Sequence, residues 1–196
     1  MNIPYKNSFS GKGVFPPKYA FTLLIPFRNI LLSPRKLIQR LDLKESHNVL
    51  EIGPGPGYFS AHVAMKLNHG KLVLLDIQQE MLDMAKKRLC KRGINNAEYQ
   101  LTDGLSLDLE SNFFDRIFMV TVMGEIENKE HYLKEINRIL KQDGILSISE
   151  LAGDPDKISI EDLKSLVCSY GFEVSHIFGG KLNFTVNFKK TNDKII

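Results

Sequence analysis

The 196-residue chain is 43% hydrophobic and 25% charged, with a formal net charge of +3, a balance that excludes disordered and collagen-like classes and fits about one globular domain. No apolar run approaches the roughly 18 residues that a bilayer span needs, and no charged-then-apolar leader is present, so the expected location is the cytoplasm, without stable membrane insertion. The charge is uneven: residues 1–47 hold eight Lys or Arg against two acids, and residues 48–196 hold 18 against 21, which points to an anionic substrate or surface for the leading segment, or to solvated lysines on a helical cap.

Residues 1–17 contain three prolines and no hydrophobic period, the composition of a loosely held arm. Within it Gly11-Lys12-Gly13 reads as a hinge or an anion clamp. Residues 18–32 carry large apolar side chains interrupted by Pro26 and Arg28, a kinked helix too short for a membrane. Ser33-Pro34 starts a further helix running to about Leu41, because serine caps free N–H groups and proline suits the first turn. Residues 1–46 are therefore expected to form an N-terminal arm and helical lid, residues 47–190 the main domain, and residues 191–196 a tail.

From His47 the chain alternates strands and helices, the pattern of a parallel sheet covered on both faces. Strands are predicted at Asn48–Ile52, Lys71–Asp76, Ala97–Leu101, 114–121 and 145–149. Between them, Phe59, Val63 and Leu67 recur at helical spacing, with Gly70 as the stop. Met81, Leu82, Ala85 and Leu89 mark a second helix closed by Lys91, Arg92 and Gly93, and Tyr132, Leu133, Ile136, Ile139 and Leu140 mark a third. A last helix spans 160–170. The period then switches to two, and 172–178 and 182–188 are predicted to pair as a hairpin about Gly179-Gly180, with Leu182, Phe184, Val186 and Phe188 on one face. Cys90 and Cys168 lack a C-x-x-C spacing, so neither a disulfide nor a zinc site is expected, and both read as packing thiols.

The organising stretch is Val49-Leu50-Glu51-Ile52-Gly53-Pro54-Gly55-Pro56-Gly57-Tyr58. Glycines let a ligand lie against the main chain and allow positive φ, while the prolines stiffen the turn. A dinucleotide fingerprint would place its third glycine at position 58, and Tyr58 stands there. The acid followed by G-x-G-x-G resembles the first motif of class I S-adenosylmethionine-dependent methyltransferases. The resemblance covers residues 47–190, and Leu75-Asp76-Ile77-Gln78-Gln79-Glu80-Met81-Leu82 looks most like the quinone- and sterol-biosynthesis members. It implies an α/β fold: a doubly wound, mostly parallel seven-stranded sheet with a C-terminal antiparallel hairpin and helices on both faces.

The resemblance also implies S-adenosylmethionine as cofactor and gives roles to particular residues. Gly53, Gly55 and Gly57 would carry the methionine end and ribose, with Glu51 toward the cofactor's amino group. Asp76 has the charge and reach to accept the ribose hydroxyls, and Ile77 would pack on the adenine. Asp103, in Thr102-Asp103-Gly104, matches the position that accepts the adenine amino hydrogen, Leu105 would cover the ring's other face, and Val120 and Thr121 would line the methionine side. Asp76 and Asp103 could instead be helix caps.

Methyl transfer from a sulfonium rests on in-line positioning, with one proton removed when the acceptor is a hydroxyl or acidic carbon. Glu125 is the candidate base and Glu150 the second, with a solvated loop acid as the alternative reading of either. No Asn/Asp-Pro-Pro-aromatic run follows the fourth strand, no cysteine nucleophile lies there, and no Asp-Asp-Asn set suggests a metal. No basic and aromatic platform for nucleic acid is visible. The implied partner is a small, apolar or amphipathic acceptor, selected by the greasy N-terminal segment with Phe15, Phe21, Leu23, Leu24, Phe27 and Leu31 beside Lys12, Lys18 and Arg28. An NAD-dependent oxidoreductase and a non-catalytic S-adenosylmethionine-binding protein are the competing readings.

Overall fold

Continuous apolar runs make strands buried on both faces, and the computed structural model, which describes residues 31–104 and 107–192, places them at the centre of one sheet. In chain order the described elements are α1 (Pro34–Arg40), β1 (Asn48–Ile52), α2 (Ser60–Ala64), β2 (Lys71–Asp76), α3 (Gln79–Cys90), β3 (Ala97–Leu101), β4 (Phe114–Val120), α4 (Lys129–Ile139), β5 (Leu140–Glu150), α5 (Ile160–Cys168), β6 (Phe172–Gly179) and β7 (Phe184–Lys190). The sheet order is β3-β2-β1-β4-β5-β7-β6. The first five strands are mutually parallel, and β7 runs antiparallel to both β5 and β6. This is the doubly wound sheet with a reversed last strand that the sequence predicts. The calls on residues 1–30, including the arm, the anion clamp and the apolar lid segment, lie outside the described residues.

Alternation along β1 divides the core. Leu50 and Ile52 join Val73, Leu75, Ile117, Met119, Leu146 and Ile148 under α4 and α5. Val49 lies on the opposite face with Leu72, Leu74, Phe118 and Val120, beneath α1, α2 and α3. Burial of these aliphatic side chains, each worth about 1.5–3 kcal/mol, is what fixes the register; a one-residue slip would turn every one to the wrong face.

Four sequence expectations need correction. The helix after the glycine loop is regular only over Ser60–Ala64; Phe59 supplies no side-chain cap, and the chain tightens into i−3 bonds at Lys66 and Leu67, although Phe59, Val63 and Leu67 are all buried as their spacing requires. Strand β5 begins at Leu140, because Phe114 pairs with Leu140 before the register jumps to Arg116 and Ile145; the expected Asp143-Gly144 turn is a bulge inside the strand. The hairpin turn is residues 180–183, closed by Gly180 N–H donating to the Asn183 carbonyl at 3.0 Å, so Leu182 is in the turn and 72% exposed. The polar face of β7 is buried as well, with Thr185 and Asn187 both enclosed. Cys90 and Cys168 are both exposed rather than packed.

That second face of β7 is satisfied by α1. Arg40 donates to Thr185 Oγ1 at 2.6 Å, Asn187 Nδ2 donates to the Arg40 carbonyl at 2.6 Å, and the Thr185 and Ser149 hydroxyls are 2.7 Å apart. Arg116, buried on β4, anchors the segment after α1 by donating to the carbonyls of Leu41 and Asp42 and to that of Asp115.

Candidate functional site

The strand order reverses between β1 and β4, and in an open α/β sheet ligands bind beyond the carboxyl ends at that point. Ile52 pairs with Leu75 on one side and Met119 on the other, which puts the loop after β1 between the ends of β2 and β4. Gly53, Gly55 and Gly57 all have positive φ, at 65°, 52° and 78°. Two of these positions have no room for a side chain. A Cβ on Gly53 would lie 2.5 Å from Val122 Cγ2, and one on Gly57 would lie 3.0 Å from Ala85 Cα. The loop is therefore seated on the segment after β4 and clasped by α3, and Arg88 Nε holds the Pro56 carbonyl at 3.1 Å from the same helix.

Two carboxyl groups are buried beside this loop. Glu51 is 3% exposed, and its Oε2 has no hydrogen-bond partner among the described residues. Burial raises its pKa to about 8, the Ser60 hydroxyl offsetting part of the rise and Asp76 adding to it. Asp76, 8% exposed, accepts the Gln78 N–H at 3.0 Å and also the amides of Gly55 and Ile77. Burial lifts its pKa to about 6 against those amide bonds. Asp76 thus ties the glycine loop to the end of β2, and helix α3 takes Gln78 as its N-cap residue without a side-chain cap. The carboxylate retains acceptor capacity, since two oxygens offer about four lone-pair sites.

The neighbouring strand ends complete the rim. Thr102 N–H donates to the Asp76 carbonyl at 3.0 Å and Gly104 N–H to Thr102 Oγ1 at 3.2 Å, which sets Asp103 exposed just past β3. Leu105 lies outside the described residues. Thr121 has φ +56°, a strained left-handed conformation for a β-branched residue. It is held by its N–H to the Ser149 carbonyl at 2.8 Å and its hydroxyl to the Val120 carbonyl at 2.7 Å. Glu125 is half-buried on the β4–α4 loop. That loop packs against the β5–α5 loop, because Gly124 leaves no space for a Cβ against the Asp156 carbonyl. Glu150 ends β5 fully buried, its pKa raised to about 8 by burial first and then by Asp154.

The structure therefore brings Glu51, Gly53, Gly55, Gly57, Asp76 and Ile77 together on one side, with Val120, Thr121, Glu125 and Glu150 on the other. Sequence reasoning missed Val122, whose contact with Gly53 joins the two sides, and Asp154 beside Glu150; neither carries a local signal. A separate cavity of about 300 Å³ opens among Lys44, His47, Arg116 and Lys141, at the amino ends of the strands. Two of its cations are engaged internally, Lys141 with Asp115 at 2.8 Å and Arg116 with main-chain carbonyls.

Residues 50–148, half of the chain and the stretch containing the glycine loop and every strand end from β1 to β4, match the methyltransferase domain family. The chain belongs to that family. Its sheet is that of the class I S-adenosylmethionine-dependent methyltransferases. This methyltransferase domain is 26% identical over 139 residues to the ubiquinone/menaquinone biosynthesis C-methyltransferase UbiE of Coxiella burnetii, covering 70% of the chain and 54% of that relative. It is 39% identical over 89 residues to a protein-L-isoaspartate O-methyltransferase of Methanococcus maripaludis, covering 45% and 42%. The chain spans about half the length of the curated relatives it matches. Among solved structures, a SAM-dependent methyltransferase from Aquifex aeolicus superposes with a TM-score of 0.85 at 24% identity, covering 91% of this chain and all of that one, a likeness of fold. No helix among the described residues is long and apolar enough to cross a membrane.

Proposed function

We propose that this domain is an S-adenosylmethionine-dependent methyltransferase acting on a small molecule by in-line displacement. The observation that carries the reading is the Glu51 carboxyl, buried beside the bare glycine loop with one oxygen unpartnered among the described residues. Such a group suits an incoming ammonium, since a cation at hydrogen-bond distance favours the ionised carboxylate that burial disfavours. In this reading Gly53, Gly55 and Gly57 support the methionine and ribose, Asp76 accepts ribose hydroxyls with its remaining lone pairs, Ile77 packs on the adenine, and Asp103 with Gly104 borders that ring. Val120 and Thr121 line the methionine side.

The cofactor when bound supplies an electrophilic methyl on a sulfonium with a neutral thioether as leaving group. The chain's own work is to orient, to exclude water and, for a hydroxyl or acidic carbon, to remove a proton. Glu150 holds its proton at neutral pH, with a pKa of about 8, and so is a poor base there. Glu125, on the adjacent loop, is the better candidate. An apolar or amphipathic acceptor is supported by the apolar side chains of residues 15–31 and by the similarity to a relative named for quinone biosynthesis. An NAD-dependent oxidoreductase has no support at the loop, where Tyr58 occupies the third glycine position.

Isothermal titration with the cofactor and with its demethylated product tests the reading. Binding is expected, with a heat that varies with the buffer's ionisation enthalpy because Glu51 sheds its proton as the ammonium arrives. Affinity weaker than about millimolar for both compounds would end it. Tight binding without transfer of label to any acceptor would leave a non-catalytic binder.

A further inference from the structure

We propose that the cavity at the amino ends of the strands is a second binding site, for a small molecule carrying one oxyanion group, a phosphate or a carboxylate. Its walls are Lys44 and His47 ahead of β1, Asp115 and Arg116 at the start of β4, and Lys141 and Asp143 on the bulge of β5. A volume of about 300 Å³ lies at the small end of the range for ligand pockets. The bulge matters here, because an irregular stretch of strand turns side chains that a regular ladder would aim elsewhere. This site does not depend on the methyl-transfer reading, whose groups lie at the opposite ends of the same strands.

Hydrogen-bond accounting shows a wall with donors left over. Lys44 and His47 close a turn on each other: the His47 N–H donates to the Lys44 carbonyl at 3.2 Å, and the Lys44 N–H donates to His47 Nδ1 at 3.3 Å. A ring nitrogen that accepts is unprotonated, so neutral His47 carries its proton on Nε2. The ring is 7% exposed, and neither its Nε2 nor the Lys44 ammonium has a hydrogen-bond partner among the described residues. Arg116, also buried, directs four of its five N–H groups to the Leu41, Asp42 and Asp115 carbonyls and the Asp42 carboxylate, which leaves one. Lys141 gives one of its three to Asp115. The acceptors on the wall are fewer. Asp115 takes Lys141 on Oδ1 and the Asn48 N–H on Oδ2, both at 2.8 Å, and Asp143 is exposed. An oxyanion, which only accepts, complements such a wall. A metal ion does not, since no group of three His, Cys, Asp or Glu among the described residues is placed to hold one. Burial first, then Arg116 and Lys44, keep the His47 pKa below its ordinary value against the pull of Asp115 and Asp42. A bound anion acts in the opposite sense.

Magnetic resonance of the histidine rings in the full chain, at constant ionic strength held with chloride, tests the site without any methyl acceptor. The probes are inorganic phosphate, glycerol 3-phosphate and acetate. At least one should raise the His47 pKa by about one unit and leave the other four histidines in place. Lys44→Gln removes an exposed cation without touching the core, and it should weaken that probe about tenfold. Lys44→Arg should restore most of the loss. The probe that binds most tightly names the ligand's anionic group: glycerol 3-phosphate a phosphate ester, inorganic phosphate the free ion, acetate a carboxylate. Saturation with the cofactor's demethylated product should leave probe binding unchanged, because that compound belongs at the other ends of the strands. Four results would overturn the proposal: no response of His47 to any probe, equal shifts of all five histidines, displacement by the demethylated product, or wild-type affinity in Lys44→Gln. None of them bears on whether the chain transfers methyl groups.

Discussion

Gly53→Ala places one methyl group where the glycine loop meets the segment after β4. The new Cβ would lie 2.5 Å from Cγ2 and 3.2 Å from Cγ1 of Val122, with φ held at +65°. A left-handed L-residue costs about 1–2 kcal/mol, and forcing a methyl into occupied space costs about 1–3 kcal/mol. Stiffening the unfolded chain returns about 0.4–1 kcal/mol. The net expectation is a loss of about 2–4 kcal/mol. Val122→Ala removes both clashing methyls and leaves the Val122 Cβ at 3.5 Å, an ordinary contact. In that background Gly53→Ala should therefore cost about 1–3 kcal/mol less, the remainder being backbone strain. Urea unfolding of the wild type, both single variants and the double variant measures the coupling. Equal costs in the two backgrounds would refute the seating of the loop on Val122, and with it the contact that joins the β1 and β4 sides of the site.

Glu51→Gln should stabilise the free protein. The native pKa of about 8 lies above the ordinary value of 4.5, so the native state holds the proton more tightly and wild-type stability falls as pH rises from about 4.5 to about 8. Replacing the acid should then gain up to ~3 kcal/mol at pH 7, shrinking toward pH 4.5 and level above pH 8; a pH-independent difference in urea midpoints would contradict the assignment. The same variant should release no proton on cofactor binding. Arg116→Met removes the donor to the Leu41 and Asp42 carbonyls, which anchor the segment after α1, and to the Asp115 carbonyl of its own strand; it should cost about 2–4 kcal/mol of stability, read as a shift in the urea midpoint, and a shift worth less than about 0.5 kcal/mol would mean water satisfies those carbonyls equally well.

Much of the architecture was legible because its signals are local. Strands β1 and β2 are short apolar runs closed by a glycine or an acid, and the loop from Gly53 to Gly57 is spelled out in glycine and proline. What escaped depends on distant partners. The alternation of residues 182–188 put Leu182, Phe184, Val186 and Phe188 on one face and said nothing of what covers the other, which is met by Arg40 from far along the chain. Cys90 and Cys168, read as packing thiols from the absence of a C-x-x-C spacing, both face solvent. The acids after β1, β2 and β3 were visible as candidates, whereas burial, which makes Glu51 and Glu150 hold protons, comes from tertiary packing alone. Thr121 gave no hint of its left-handed backbone, since threonine after an apolar run normally just continues a strand.

The placement of β7 bears on how the molecule can be assembled. Among the described strands it comes last in sequence yet is an interior one in space, paired with β5 on one side and β6 on the other. During synthesis β6 must therefore wait without a neighbour until residues 184–190 emerge and slot between it and β5, and a nascent chain stopped short of them would present the open edge of β5 to any passing strand.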